Sequence, residues 1–296
     1  MTDARAQRLA YPALLLGNVA LAFGPWLVRL ADTGPVAAGF WRLALALPFL
    51  WLLARAVGRP VHWPGRKMAM ALVGAALFFA ADLAAWHAGI RLTKLGNATL
   101  FGNFASFAFA AYGLWLARKW PSRIQGIALS LAAIGCAALM AGSAELSAQH
   151  LRGDILALTA GLLYTGYLII VERARGSQMK PLPLLFLATL FGAAFLLPLS
   201  LALGERIIPH DWLPLFALAL ASQVVGQGLL VYALGHVPPL VVGLALLTQP
   251  AISAGIGWVA YGETLTRLDW AGALGIAIAL VLVRLRDRKQ KPISRP

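Results

Sequence analysis

The chain of 296 residues is 60% hydrophobic and only 12% charged, with a formal net charge of +14. Soluble domains run at about 45–50% apolar and about 25% charged residues. This composition therefore excludes a pair of water-soluble domains, and its hydrophobicity excludes an intrinsically disordered chain. A polytopic membrane protein remains, because about 20 mainly apolar residues cross the hydrocarbon core and ten such segments use roughly 200–220 residues, leaving only short loops and small tails.

Ten apolar runs follow one another along the chain. The first, near 11–29, carries Pro25 and Trp26 and lacks the small-residue cleavage site of a signal peptide. Asp32-Thr-Gly-Pro35 leads into the second, 36–54, which holds Arg42 and Pro48. The third, 68–90, contains Asp82, Trp86 and His87, and the fourth, 97–117, sets Thr99, Asn103 and Ser106 on one helical face. The fifth, 124–142, carries a stripe of small residues at Ala128, Ala132 and Cys136. The sixth, 154–171, holds Tyr164 and Tyr167, and the seventh, 183–203, is crossed by Pro198. Gln223 and Gln227 share a face of the eighth, 212–234, as Gln249 and Ser253 do in the ninth, 239–261, beside Pro250. The tenth, 270–285, has a second small-residue stripe at Ala271, Gly275 and Ala279. Such stripes permit close helix contact, so spans five and ten are expected to form a scaffold or a homodimer seam. The four prolines within spans one, two, seven and nine are expected to interrupt or kink them. Cys136, the only cysteine, excludes disulfides and cysteine-based metal sites.

The basic residues orient the bundle. With the N-terminus in the cytoplasm, 18 lysines and arginines fall on cytoplasmic segments and six on the other side. That asymmetry is the known orienting bias. It predicts a multi-pass protein of the cytoplasmic (inner) membrane with both termini inside. The positive charge thus reads as a topology signal rather than as nucleic-acid binding, and the basic tail 286–296 is placed to meet anionic lipid.

The two halves align without a gap over a long stretch. An offset of 146 pairs Trp86 with Tyr232, Asn103 with Gln249, Gly126 with Gly272 and Pro35 with Pro181, and near the starts an offset of 141 pairs Trp26 with Tyr167. Five spans per half is an odd number, so the second unit, 150–285, runs upside down relative to the first, 1–145. The expected fold is all-α, with ten transmembrane helices as two inverted five-helix repeats. Such repeats are a transporter signature, with substrate held near the midplane.

Three stretches carry a family resemblance. Tyr261-Gly-Glu-Thr-Leu-Thr266 with Trp270-Ala-Gly272 is the most specific, followed by Phe40-Trp-Arg-Leu-Ala44 and Gln249-Pro250. With them the chain resembles the drug/metabolite transporter superfamily, in its ten-helix EamA-type form, and looks most like the aromatic amino acid exporters of the YddG type. The first repeat departs from the pattern, with Ala117 matching Glu263 and Phe104 matching Pro250, which implies an asymmetric site.

Charge at membrane depth costs about 2.5–3.5 kcal/mol on insertion scales, and Arg42 and Asp82 are the two charges read as lying well inside spans. Both fall about 10–14 Å below the outer boundary. They are candidates for gating or proton coupling, or for a static ion pair. Trp26, Trp86, Asn103, Tyr164, Tyr167, Gln223, Gln227 and Gln249 are the candidate substrate-binding residues: amides suit a zwitterionic or amide-bearing solute, and rings suit a planar or apolar one. The plainer readings are interhelical hydrogen bonding for the amides and core packing for the rings. The sequence holds no metalloprotease pair, nucleophile elbow or phosphate loop, so neither enzyme activity nor a cofactor or metal is expected. The expected function is a secondary transporter that exports small organic metabolites, amino acids and aromatic ones in particular, by alternating access. Export of other drugs or metabolites is the alternative within the same family, and a non-transport membrane protein such as an intramembrane enzyme is the alternative outside it.

Overall fold

The structure, a computed structural model, describes residues 3–93, 95–118, 120–141, 150–177, 179–261 and 266–287. Among them the regular structure is helical, in ten spans and without a strand. Span one comprises Asp3–Ala22 and Gly24–Leu30, span two Pro35–Ala44 and Ala46–Ala56, span three Arg66–Leu92, and span four Leu95–Gly102 and Phe104–Ala117. Spans five, six and seven are Arg123–Ala141, Leu151–Gly176 and Pro181–Ala202. Span eight runs from Leu213 to Leu234 with a π-helix at Ala219–Gln227, span nine comprises Pro239–Leu246 and Thr248–Tyr261, and span ten is Arg267–Asp287. Spans one, two, three, six, seven and eight are long and apolar enough to cross a bilayer, and Phe104–Ala117, Arg123–Ala138 and Pro239–Ser253 are shorter apolar helices. Residues 142–149 between the halves, Gly262 to Leu265 of the Tyr261–Thr266 stretch, Lys119 and the residues from 288 lie outside the described residues.

Proline and glycine set several ends. Spans two, seven and nine have Pro35, Pro181 and Pro239 in their first turns, where a missing N–H forfeits no helical bond. Spans two and seven also finish alike. Gly58 and Gly204 both take φ +64, and the N–H of Arg59 reaches Ala54 O as that of Glu205 reaches Ser200 O. A left-handed glycine with this six-residue hydrogen bond is a Schellman close. The two glycines stand 146 residues apart, so the repeat offset reappears as matching backbone geometry at opposite ends of the membrane.

Breaks follow proline in three of the four expected places. Pro48 and Pro250 each lie three residues beyond a break, at Leu45 and Leu247, and Pro25 lies two beyond one at Phe23. Pro198 is different: it sits inside an unbroken span seven, where neighbouring helices support the freed backbone. Span four breaks at Asn103 without any proline. There Asn103 Nδ2 donates to Thr99 O at 2.7 Å, a side chain competing with the helical backbone for its own acceptor.

The principal packing runs between halves. Span three packs on six, one on eight, four on nine, five on ten and two on seven. Exchanging the two halves maps this set of pairs onto itself, as a twofold axis lying in the membrane requires. Glycines allow the closest crossings. A Cβ on Gly113 would lie 2.6 Å from Leu240 N, one on Gly243 2.5 Å from Ser106 O, and one on Gly135 2.7 Å from Gly272 O. Ala128, Ala132, Cys136, Ile276 and Ala279 are buried where spans five and ten meet. Most of the two small-residue stripes thus forms a scaffold contact within one chain, while Ala271 of the span-ten stripe is exposed. Large apolar side chains such as Leu52, Leu77, Ile134 and Leu274 are exposed on the outside, the surface a bilayer covers.

Span six is longer than the sequence reading of 154–171. Its 26 residues bury Asp154, Glu172 and Arg175, so Arg42 and Asp82 are not the only charges within the bundle.

Candidate functional site

A partly open cavity of about 90 Å³ lies at the junction of the halves. Its wall comes from spans one, two, three, four, six, eight and nine. The four helix breaks and the π-helix therefore all occur in spans that border it. Among the described residues, spans five, seven and ten contribute nothing to the wall.

Span three supplies one side through Phe79, Asp82, Leu83 and Trp86. These residues recur every three or four positions and so share a helical face. Arg42 faces the cavity from span two, Thr99, Asn103 and Ser106 from span four, Tyr164 from span six and Gln227 from span eight. Gln249 and Ser253 complete the polar wall from span nine. The repeat-related amides Asn103 and Gln249 thus meet in one chamber. Gln249 Nε2 donates to Asn18 Oδ1 at 3.4 Å, and Ser253 Oγ to Ala22 O at 3.3 Å.

Of the expected binding residues, Trp86, Asn103, Tyr164, Gln227 and Gln249 line the cavity, as do Arg42 and Asp82. Three do not reach it. Tyr167 is fully buried, stacked on Phe79 with ring centroids 4.5 Å apart, and its hydroxyl donates to Gln227 Oε1 at 3.4 Å. Gln223, also fully buried, accepts from Arg42 Nε at 3.3 Å and donates to Thr189 Oγ1 at 2.9 Å. Trp26 packs in a separate apolar cluster with Phe23 and Trp86. Tyr167 and Gln223 thus support side chains that do reach the cavity, and Gln227 is held from its other end by Nε2 donating to Tyr164 Oη at 2.9 Å. Phe79 and Leu83 were not singled out from the sequence; their spacing around Asp82 was the available signal. Arg42 and Asp82 are not ion-paired with each other.

His87 holds spans two and three together, with Nδ1 donating to Pro35 O at 2.9 Å. A carbonyl only accepts, which fixes the proton on that nitrogen. Near the same face, the segment after span seven clasps the start of span two. Glu205 accepts from Val36 N at 3.2 Å and from Ala37 N at 2.8 Å, placing a carboxylate on the positive end of a helix. Trp41 Nε1 donates to Ile207 O at 2.7 Å, and Arg91 Nη2 to Thr33 O at 2.6 Å. Asp32 accepts from His210 N at 2.8 Å and pairs with Arg206 at 3.8 Å. The His210 amide, and secondarily Arg206, hold the Asp32 carboxyl below its usual range. At the opposite, basic face, Tyr112 Oη donates to Glu172 Oε2 at 3.3 Å, and Arg175 donates to Val231 O at 3.0 Å and to Met179 O.

Ten helices in two inverted units around a cavity bordered by both halves define a polytopic membrane protein. Residues 151–285 match the EamA-like transporter family. It is 26% identical over 284 residues to an uncharacterized transporter of Archaeoglobus fulgidus, covering 96% of this chain and 98% of the relative. It is also 31% identical over 166 residues to the threonine/homoserine exporter RhtA of Escherichia coli, covering 55% of this chain and 56% of the relative. One solved crystal structure superposes with a TM-score of 0.76 at 13% identity, covering 97% of this chain and all of the other. At that identity the likeness concerns the fold alone.

Proposed function

We propose that this protein is a secondary transporter that exports amino acids across the cytoplasmic membrane, with both termini inside. The observation that supports the reading is a small cavity at the junction of the halves, lined by one acid, one arginine and three amides, in a bundle with many large apolar side chains on its outside. Alternating access follows from the repeat units 1–145 and 150–285 rearranging around that cavity, with the breaks at Phe23, Leu45, Asn103 and Leu247 as bending points. A cavity of about 90 Å³ is well below the roughly 300–1,000 Å³ of drug-sized pockets, which favours amino acids over larger drugs. The relation to RhtA favours a small polar side chain, whereas the rings of Phe79, Trp86 and Tyr164 in the wall favour an aromatic one. Asp82 is the carboxylate at which a proton gradient would act.

The test is flux in liposomes containing the purified chain, with labelled threonine and tryptophan and an imposed pH gradient. Transport of either amino acid, reduced about tenfold or more by Asn103→Ala or Gln249→Ala, is the expected result. The faster of the two substrates orders the side-chain preference. Absence of flux for every amino acid tried would sink the proposal, and flux indifferent to the gradient would remove proton coupling.

A further inference from the structure

Resting on the transport reading, we infer that Asp82 and Arg42 are the two poles of a zwitterion site. The Asp82 carboxylate takes the α-ammonium group, and the Arg42 guanidinium takes the α-carboxylate of the same free amino acid. Both side chains are buried, at 8% and 3% exposure, and both border the one cavity. They come from neighbouring spans that pack together, yet no ion pair joins them. Opposite charges that could neutralise each other directly, and do not, leave room between them for a group carrying both signs.

Each pole has its binding atoms free. Arg42 is held from behind through Nε, which donates to Gln223 Oε1 at 3.3 Å, while Gln223 is itself fixed by Thr189 at 2.9 Å. The Phe79 ring centroid lies 5.7 Å from the guanidinium carbon. Among the described residues, neither Nη of Arg42 nor either carboxylate oxygen of Asp82 has a hydrogen-bond partner, and none of these atoms is sealed from the cavity. An arginine anchored at Nε with its Nη groups open presents a preorganised donor edge for a carboxylate. The Asp82 carboxylate accepts only, which suits an ammonium group with three donors.

Buried charges are expensive unless paired, so a net-neutral solute with both charges on neighbouring atoms is favoured over a bare cation or anion. Asn103, Gln249 and Trp86 remain in the wall for the side chain. The site therefore selects free α-amino acids by their backbone groups, and it rejects analogues that lack either one, because the loss leaves a buried charge unmatched.

The experiment compares binding to the purified full chain of threonine, its decarboxylated analogue 1-aminopropan-2-ol and its deaminated analogue 3-hydroxybutyrate. Tryptophan, tryptamine and indole-3-propionate form a second series. Each analogue is expected to bind about tenfold to hundredfold more weakly than its parent. Asp82→Asn should abolish the difference between threonine and 3-hydroxybutyrate, and Arg42→Gln the difference between threonine and 1-aminopropan-2-ol. Analogues that bind as tightly as their parents overturn the inference. So do variants that weaken all probes by one common factor, the mark of a purely structural role. Should a variant fail to fold, the wild-type series decides alone. If amino acids are transported but the analogues move equally well, only the zwitterion site falls; if no amino acid binds or moves, the transport reading falls with it.

Discussion

Gly113→Ala is the sharpest test of the packing between spans four and nine. The new Cβ would lie 2.6 Å from Leu240 N, 3.1 Å from Pro239 Cβ and 3.2 Å from Pro239 C. An ordinary contact needs about 3.5 Å, so one helix must move by about 0.9 Å. The obstacles cannot swing away, because they belong to the proline-started first turn of span nine. Overpacking of this kind costs about 1–3 kcal/mol, and the helix-propensity gain from glycine to alanine offsets about 0.5–1 kcal/mol of it. A net loss of up to about 2.5 kcal/mol, at about 2–4 °C per kcal/mol for chains of comparable size, lowers the apparent melting midpoint by up to about 10 °C. The assay is thermal unfolding in detergent at one fixed scan rate, since membrane proteins in detergent rarely unfold reversibly and the midpoint depends on the rate. Gly126→Ala is the control, because a Cβ there meets nothing within 4 Å; its midpoint should hold or rise. A Gly113→Ala midpoint at or above wild type, or an equal fall for Gly126→Ala, would refute the reasoning.

Glu205→Ala should destabilise the start of span two by about 0.5–2 kcal/mol, the usual range for a lost helix cap. Hydrogen exchange at the Val36 and Ala37 amides should rise with it, and unchanged exchange would argue against the clasp. Tyr164→Phe strips Gln227 Nε2 of its acceptor and should cost about 1 kcal/mol. Combining it with Gln227→Leu should cost less than the sum of the two single changes, as expected for partners in one network; strict additivity would count against the pair. The depressed Asp32 carboxyl stabilises the folded state above its unfolded value of about 3.8, and that contribution is lost as pH falls through the lower folded value. Melting midpoints of wild type and Asp32→Asn should therefore run parallel above about pH 5 and converge in stronger acid. A gap that opens on acidification contradicts the assigned partners.

Much of the architecture was legible because its causes are local. Hydrocarbon thickness sets the length of an apolar run, and proline marks where a helix starts or breaks, which located spans two, seven and nine and the breaks before Pro25, Pro48 and Pro250. The break at Asn103 was hidden, because it depends on an amide choosing Thr99 O over an outward orientation. The π-helix of span eight was hidden too, since the residues of Ala219–Gln227 suit an ordinary α-helix equally well. The matching ends at Gly58 and Gly204 were present in the sequence at the repeat offset, but a glycine reveals its left-handed backbone only once the helix end is known.

For the candidate site, the residue types were legible and their sides were not. Inside a membrane a polar group needs a partner whether it faces a cavity or a neighbouring helix, so pattern alone could not separate Gln227 from Gln223 or Tyr164 from Tyr167. Each pair shares a helical face. What divides them is depth within the bundle, which is fixed by Phe79 and Thr189 on other spans.

The pairing of spans across the halves also governs how the molecule is made. Spans one to five leave the ribosome before any of their principal partners exist, so Arg42 enters the membrane without Gln223, and the glycine faces at Gly113 and Gly135 have nothing to close upon. In the order of synthesis span six meets three, seven meets two, eight meets one and nine meets four. Span ten, made after the other nine, covers span five. Loss of this helix therefore uncovers a surface formed early in translation, and the first half completes its burial only once span ten has been made.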